Sequence, residues 1–388
     1  MRITGVETFL VPPRWVFARV DTDEGVTGWG EPGGEARPRA VVAAVRDLSD
    51  YLVGRNPLEV ERHWQVMTKS AFYRGGPILS SAVAGIDQAL WDISGKARGV
   101  PVHELIGGPV RDRMRVYAWI GGDRTGDYAP ADIAREARDR VGEGFTALKM
   151  NASSQMQPID TPAQAEAVAA RLAVVREAIG SERDIAVDFH GRISAAMAKR
   201  LLPMLEPYQP MFVEEPCLPE FPEALAELAR HTCIPIATGE RLFSRWDFKH
   251  VIGSGVAVIQ PDPSHAGGIS ETCRIAAMAD AYGILLAPHS AIGPIALAAS
   301  LQVDFVAPNA IIQEQGVGYT EPGRTGGDML DYLLDRSVFS YQDGFAARPT
   351  GPGLGLEIDE AEVARAAHSG HEWNPPPWAY PDGSRAEW

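Results

Sequence analysis

Asp188, Glu214 and Glu240 stand 26 residues apart, and each closes a short apolar run: DIAVD, MFVEE and IPIATGE. Any one of them alone reads as an ordinary acid in a loop. A strand, a turn, a helix and a turn together occupy about that interval, so the spacing puts all three at the same end of successive βα units. In a (β/α)8 barrel that end, the carboxyl end of the parallel strands, is where an active site gathers. Three oxygen donors converging there suit a hard divalent cation such as Mg2+, which takes carboxylates and water in an octahedral shell.

A carboxylate substrate held on such an ion can lose its α-proton to give an enediolate. That proton is very weakly acidic, so positive charge must be concentrated on the carboxylate oxygens, and a base must stand nearby. The phase continues to Asp262 (VAVIQPD), His289 (ILLAPH) and Glu314 (AIIQE). Each alone is common: an Asp after Pro is a turn residue, and a His in a loop is solvated. On adjacent strands in the metal's phase they read as a base, His289, and the carboxylate that fixes its tautomer, Asp262. His190 follows Asp188 by two positions and shares its face. It could ligate the metal or, better, act as a general acid that protonates a leaving group on the neighbouring carbon. Glu314 could hydrogen-bond the substrate carboxylate or be a surface acid in QEQ. His265, three residues past Asp262, fits a structural or supporting hydrogen bond. The other histidines have no barrel phase.

The elements that must position these groups follow from the same rhythm. Eight strands are predicted at 114–120, 145–151, 184–190, 210–215, 234–240, 256–262, 284–289 and 310–315. Apolar runs of this length between polar or Gly/Pro residues read as buried parallel strands. Helical patterns fill the gaps at 163–180, 194–207, 223–231 and 270–283, with Gly180 suited to a C′ position and Ser270 to an N-cap. The N-terminal third differs. ETFLVPP, WVFARVDTDEG and VTGWGEP read as an antiparallel meander, followed by helices near 38–53, 57–69 and 80–99. The Gly-rich GPGLGLEID is extended and is predicted to return to the cap; it lacks the G-x-G-x-x-G spacing of a dinucleotide site. The expected fold is α/β, a (β/α)7-8 TIM-like barrel with an N-terminal α+β capping domain completed by the C-terminal tail. The expected boundaries are 1–112 for the cap, 113–329 for the barrel and 330–388 for the returning segment.

Composition is that of an ordinary enzyme. A chain of 388 residues, 45% apolar and 22% charged, can build a large core in two domains. A formal charge of −15 argues against nucleic acid or an anionic membrane surface as a partner. No run of eighteen apolar residues and no signal-peptide core are present. Three scattered cysteines give neither a disulfide framework nor a zinc site, so a cytoplasmic location is expected. The expected partner is a small-molecule sugar acid, and a homo-oligomer is expected.

The order Lys149, Asp188, Glu214, Glu240, Asp262, His289, Glu314, behind an α+β cap, resembles the mandelate racemase branch of the enolase superfamily over essentially the whole chain. PPRW (12–15), FYRGGP (72–77), AGIDQALWDI (84–93), DFHGR (188–192), RLFSRWDFK (241–249), QPDPSHAGGI (260–269) and the terminal AEW resemble the galactonate dehydratase family within it. This resemblance implies a hydro-lyase: Mg2+-dependent dehydration of an aldonic acid, D-galactonate first, to a 2-keto-3-deoxy aldonate. It implies that Asp188, Glu214 and Glu240 bind Mg2+, that His289 abstracts the C2 proton with Asp262 in support, and that His190 expels the 3-hydroxyl as water. Glu314 would hydrogen-bond the carboxylate. Arg14, Trp15 and Tyr73 could reach distal hydroxyls, since cap loops of this family close over the barrel mouth; their alternative is the cap's own packing.

Racemases of this branch usually carry K-x-K on the second barrel strand. Here the string is Lys149-Met150-Asn151, so the opposing base is absent, Lys149 remains an electrostatic partner and Asn151 becomes a polar substrate contact. Ser290-Ala291 after His289, where Cys-Pro or a similar pair is expected, and a longer, Gly-rich GVGYTEPGRTGGD after Glu314 also depart from the pattern. Both border the barrel mouth and leave a different hexonate or pentonate open. An epimerase or racemase would show C2 exchange without water loss. A non-catalytic sugar-acid-binding protein would leave substrate unchanged with Mg2+.

Overall fold

The computed structural model describes the chain apart from residues 35–36, 123–128, 154, 319–327, 372, 374–376 and 388. Most of GVGYTEPGRTGGD, and the Trp388 of the terminal AEW, therefore lie outside the described residues.

The meander forms as expected. Strands β1 (Ile3–Val11), β2 (Trp15–Thr22) and β3 (Thr27–Gly30) make one antiparallel sheet. Helices α1 (Pro38–Leu52), α2 (Val60–Lys69) and α3 (Pro77–Arg98) pack on it. Proline opens α1 and α3 at a position where its missing N–H costs nothing, and Gly99 closes α3 at φ 70. Helix α3 buries apolar residues on nearly every side, as a helix between two layers must. A short α4 (Val102–Leu105) leads to the barrel.

The predicted first barrel strand, 114–120, is two strands. β4 (Arg113–Arg115) pairs antiparallel with a later strand, and only β5 (Ala118–Ile120) enters the barrel. After it come α5 (Pro130–Gly142), β6 (Ala147–Asn151), α6 (Pro162–Ile179), β7 (Asp184–Asp188), α7 (Ala195–Leu205), β8 (Val213–Glu214), α8 (Pro222–His231), β9 (Ile236–Thr238), α9 (Arg245–Val251), β10 (Val258–Ile259), α10 (Gly268–Asp280), β11 (Leu285–Leu286) and α11 (Pro294–Asp304). Strands β5 to β11 form one seven-stranded parallel sheet in chain order. The eighth predicted strand, 310–315, is present only as single bridges, Leu286 to Ala310 and Val116 to Gln313. These close the ring, with Ile311 N donating to Leu286 O (2.9 Å) and Gln313 N to Arg115 O (2.8 Å).

The barrel strands are shorter than their apolar runs because the chain leaves pairing geometry just past them. His190 and Glu215 take left-handed backbone (φ 51 and 41), and Pro261 and Pro288 carry no donor. Tyr117, Ala147, Ala186, Phe212, Ala237, Val258, Ala287 and Ile312 fill the barrel interior. The second predicted cap moves: Ser270 lies inside α10, and its backbone N–H and hydroxyl donate to the buried Asp87 of α3 (3.0 and 2.6 Å).

The tail crosses back. Strands β12 (Tyr341–Gln342) and β13 (Phe345–Ala347) extend from β4, and α12 (Glu360–Ala367) lies near β1. Between them Gly353 O accepts from Val102 N (2.8 Å), and Leu354 N donates to Asp92 of α3 (2.9 Å).

Candidate active site

Asp188 ends β7, Glu214 ends β8, and Glu240 follows β9 by two residues. Asp262 and His289 follow β10 and β11, Lys149 lies within β6, and Glu314 follows the bridge that closes the ring. The structure brings these residues into one buried cluster. The Lys149 ammonium sits 2.9 Å from Asp188 Oδ2, 2.6 Å from Glu214 Oε2 and 3.3 Å from Glu314 Oε1, with all four side chains inaccessible to water. It also lies over the Trp119 ring, 4.6 Å from its centre. Burial alone would push this ammonium toward neutrality, but the three carboxylates hold it well above its ordinary value.

His289 is gripped from two sides. Its Nδ1 is 2.7 Å from Asp262 Oδ2, and its Nε2 is 3.0 Å from Glu240 Oε2. Burial would lower this imidazole, but Glu314, Glu240 and Asp262 together carry it well above the usual histidine value. Glu240, largely but not fully enclosed, is held far below the carboxylate range because His289 outweighs the desolvation. Glu314 is fixed by donors: Trp119 Nε1 to Oε1 (2.8 Å) and Ser290 N to Oε2 (2.8 Å).

His190 belongs to the same cluster through Asp188, whose Oδ1 is 3.1 Å from His190 Nδ1 and also accepts the His190 backbone N–H at 2.9 Å. Burial opposes its charge, yet Asp188 raises it above the ordinary value. Arg241, absent from the sequence expectations, locks the loop beneath it. It donates to both oxygens of Glu215 (3.1 and 2.5 Å) and to His190 O (3.2 Å). The doubled Glu214-Glu215 in the strand-end run is the one local sign of this pair.

The other expected contacts are distributed differently. Asn151 is buried at the end of β6, its amide donating to Gly122 O (3.3 Å). Arg14 reaches from the cap to the loop after His289, donating to Ala291 O (3.1 Å). Trp15 packs against Phe17 and the edge of Tyr332. Tyr73 is not brought to the cluster: it is 86% exposed and its ring partner is Phe72. His265 joins the cap instead, 3.0 Å from Ser81 Oγ.

The cluster sets five carboxylates against one ammonium and two imidazoles. Glu214 Oε1 is buried without a hydrogen-bond partner among the described residues. A buried carboxyl oxygen left so is costly, and a crowd of carboxyl groups with an open oxygen fits a divalent, oxygen-loving cation. Among the described residues no three acids or histidines are drawn into a ready-made cage, because Glu240 is turned to His289 while Asp188 and Glu214 meet on Lys149.

Comparison with known proteins places this geometry. Residues 132–362 match the enolase C-terminal domain-like family, and residues 7–107 match the N-terminal domain of mandelate racemase / muconate lactonizing enzyme. The chain is 52% identical to a D-galactonate dehydratase of Ralstonia pickettii and 50% identical to one of Pectobacterium atrosepticum, each over the whole of both chains. Among solved structures, an enolase of Agrobacterium radiobacter, bound to Na and L-malate with an ordered active site, is 32% identical, covers both chains completely and superposes with a TM-score of 0.90. A mandelate racemase/muconate lactonizing enzyme of Jannaschia sp. CCS1 is also 32% identical, over 96% of this chain and 99% of its own, with a TM-score of 0.87. The chain thus belongs to the mandelate racemase/muconate lactonizing enzyme family of the enolase superfamily, and its full-length likeness is to D-galactonate dehydratases.

Proposed function

We propose that this protein is a Mg2+-dependent sugar acid dehydratase, acting first on D-galactonate. One observation carries this: two imidazoles, His289 and His190, are seated on different carboxylates of one buried cluster. Dehydration needs that division, because one group must accept a proton and another must donate one.

Asp188, Glu214 and Glu240 would hold the metal, whose positive charge makes the C2 proton of a bound carboxylate removable. His289 takes that proton at Nε2, the nitrogen left over when Asp262 holds Nδ1. Glu240 faces Nε2 here; were it to hold the metal, that nitrogen would be left to the substrate. Lys149 offsets part of the cluster's negative charge. Glu314, already oriented by Trp119 and Ser290, presents its carboxyl to the substrate carboxylate. His190 then gives its proton to the departing 3-hydroxyl, and water leaves with formation of the 2-keto-3-deoxy product after tautomerisation. Asn151, an amide with no basic lone pair, stands where a second base would act, which disfavours racemisation. Its place beside the cluster suits a hydroxyl contact, as does that of Arg14 from the cap, with Trp15 next to it; Tyr73, exposed against Phe72, is not among these contacts.

An aldonate panel assayed for 2-keto acid, with and without Mg2+, tests the proposal. EDTA and Glu214→Gln should each abolish turnover, with Mg2+ restoring only the chelated wild type. Undiminished activity after exhaustive chelation rejects the metal's role. No 2-keto acid from any aldonate rejects the dehydratase.

A further inference from the structure

We infer that Glu31 and Gln88, both in the cap, are positioning residues for the Asp262–His289 pair, so that the cap aims the base; this rests on the proposed role of His289. Glu31 follows β3, and Gln88 lies in the middle of α3. Both are completely buried, more than 170 residues from Asp262 and His289 along the chain.

Two hydrogen-bonded lines run from them into the barrel. In the first, Glu31 N donates to Gln88 Oε1 (2.8 Å), and Gln88 Nε2 donates to Pro263 O and Ser264 Oγ (both 3.0 Å). Ser264 N donates to Asp262 Oδ1 at 2.6 Å, and Asp262 Oδ2 meets His289 Nδ1 at 2.7 Å. Gly33 N adds a donor to Ser264 O (2.8 Å). In the second, the Glu31 carboxylate leaves the cap altogether. Its two oxygens accept from Gly293 N (2.7 Å) and Ala296 N (2.9 Å), the open amides at the start of α11. Gly293 lies four residues after His289.

One cap loop thus holds the loop that presents the carboxylate and the loop that presents the imidazole. Packing alone would not require this. The barrel amides at 293 and 296 could be capped by a local Ser or Asp, and the 263–264 turn could bond within itself. Instead a carboxyl and an amide are brought across the interface and buried, which is costly unless every polar atom is matched. Both oxygens of Asp262 are consequently committed, one to the Ser264 amide and one to the imidazole. That leaves the carboxylate no freedom to rotate, and fixes the direction of His289 Nε2.

The test uses the full-length protein. Gln88→Leu keeps volume but removes all three bonds, while Glu31→Gln keeps shape and weakens the hold on α11. A positioning role predicts that kcat for dehydration and the rate of C2 hydrogen exchange in D2O fall together. The expected loss is about 10²-fold for Gln88→Leu, as for a misplaced catalytic group. KM should stay within about threefold, since small binding changes correspond to fractions of a tenfold step. The downfield imidazole N–H proton resonance of His289, assigned by its loss in His289→Asn, should shift in both variants. That signal is read without substrate, so it tests the wiring even if no aldonate is turned over. If Gln88→Leu does not fold, Glu31→Gln alone decides. An unmoved resonance with unchanged exchange in a folded variant overturns the inference, as does a loss confined to KM.

Discussion

The two histidines of the site are held in opposite ways. His289 sits on ordinary backbone, and its direction is set by a relay of hydrogen bonds that runs through Asp262 into the cap. His190 is set by the backbone itself. It occupies left-handed space at φ 51, costly for a residue with a β-carbon, and the strained turn is pinned by Asp188 on one side and Arg241 on the other. The proposed base, which would meet a weakly acidic hydrogen, is given a fixed direction. The proposed acid, which would follow a leaving oxygen, is given a fixed place.

The largest effect should come from His289→Asn. Loss of the proposed base should remove both dehydration and C2 exchange, measured by 2-keto acid assay and by NMR in D2O. Surviving exchange would transfer the base role, with Lys149 the first residue to test. His190→Asn should cost dehydration about 10²–10⁴-fold, as is typical for a lost general acid, while C2 exchange persists because the base is intact. Equal loss of both processes would erase the division between the two sites. Smaller still is Arg241→Gln. It should slow dehydration about tenfold, on the scale of one displaced proton-transfer contact, with exchange barely changed. It should also lower stability in thermal or denaturant unfolding by about 2 kcal/mol, because Glu215 loses its buried partner; a fully buried pair would cost more, but the Arg241 side chain is 34% exposed. An exchange rate that falls as far as dehydration would show that Arg241 supports the whole mouth of the barrel instead of the acid's turn.

The contrast also explains what the sequence could tell. Asp188 and Glu214 were legible because they end strands, and the βα repeat converts equal spacing into a shared place. Asp262, His289 and Glu314 lie one to three residues beyond pairing yet stay in phase. Strand lengths were less legible, since an apolar run records burial and not pairing: 114–120 is buried except at Arg115 but serves two sheets, and 310–315 closes the ring through single bridges. Ser270 looked like a cap because its hydroxyl wants a partner, and it found one across the interface in Asp87. Glu31 and Gln88 were silent, and Arg241 was hinted at only by the doubled Glu214-Glu215. Their partners lie on other elements, and no periodicity links residues that far apart. For the first two, the one trace is the set of larger polar residues, Asp87, Gln88 and Asp92, at buried positions of a helix whose other buried residues are apolar or small.

The fit of Glu31 against Gly293 has a consequence for how such proteins can recombine. A β-carbon at 293 would overlap the Glu31 carboxylate, and without that carboxylate the amides at 293 and 296 lose their acceptor. Each half carries the mould of the other. A chimera that joins this N-terminal unit to a relative's barrel inherits a working junction only when the small residue and the acid travel together, so the seam constrains which ancestors' halves could be exchanged.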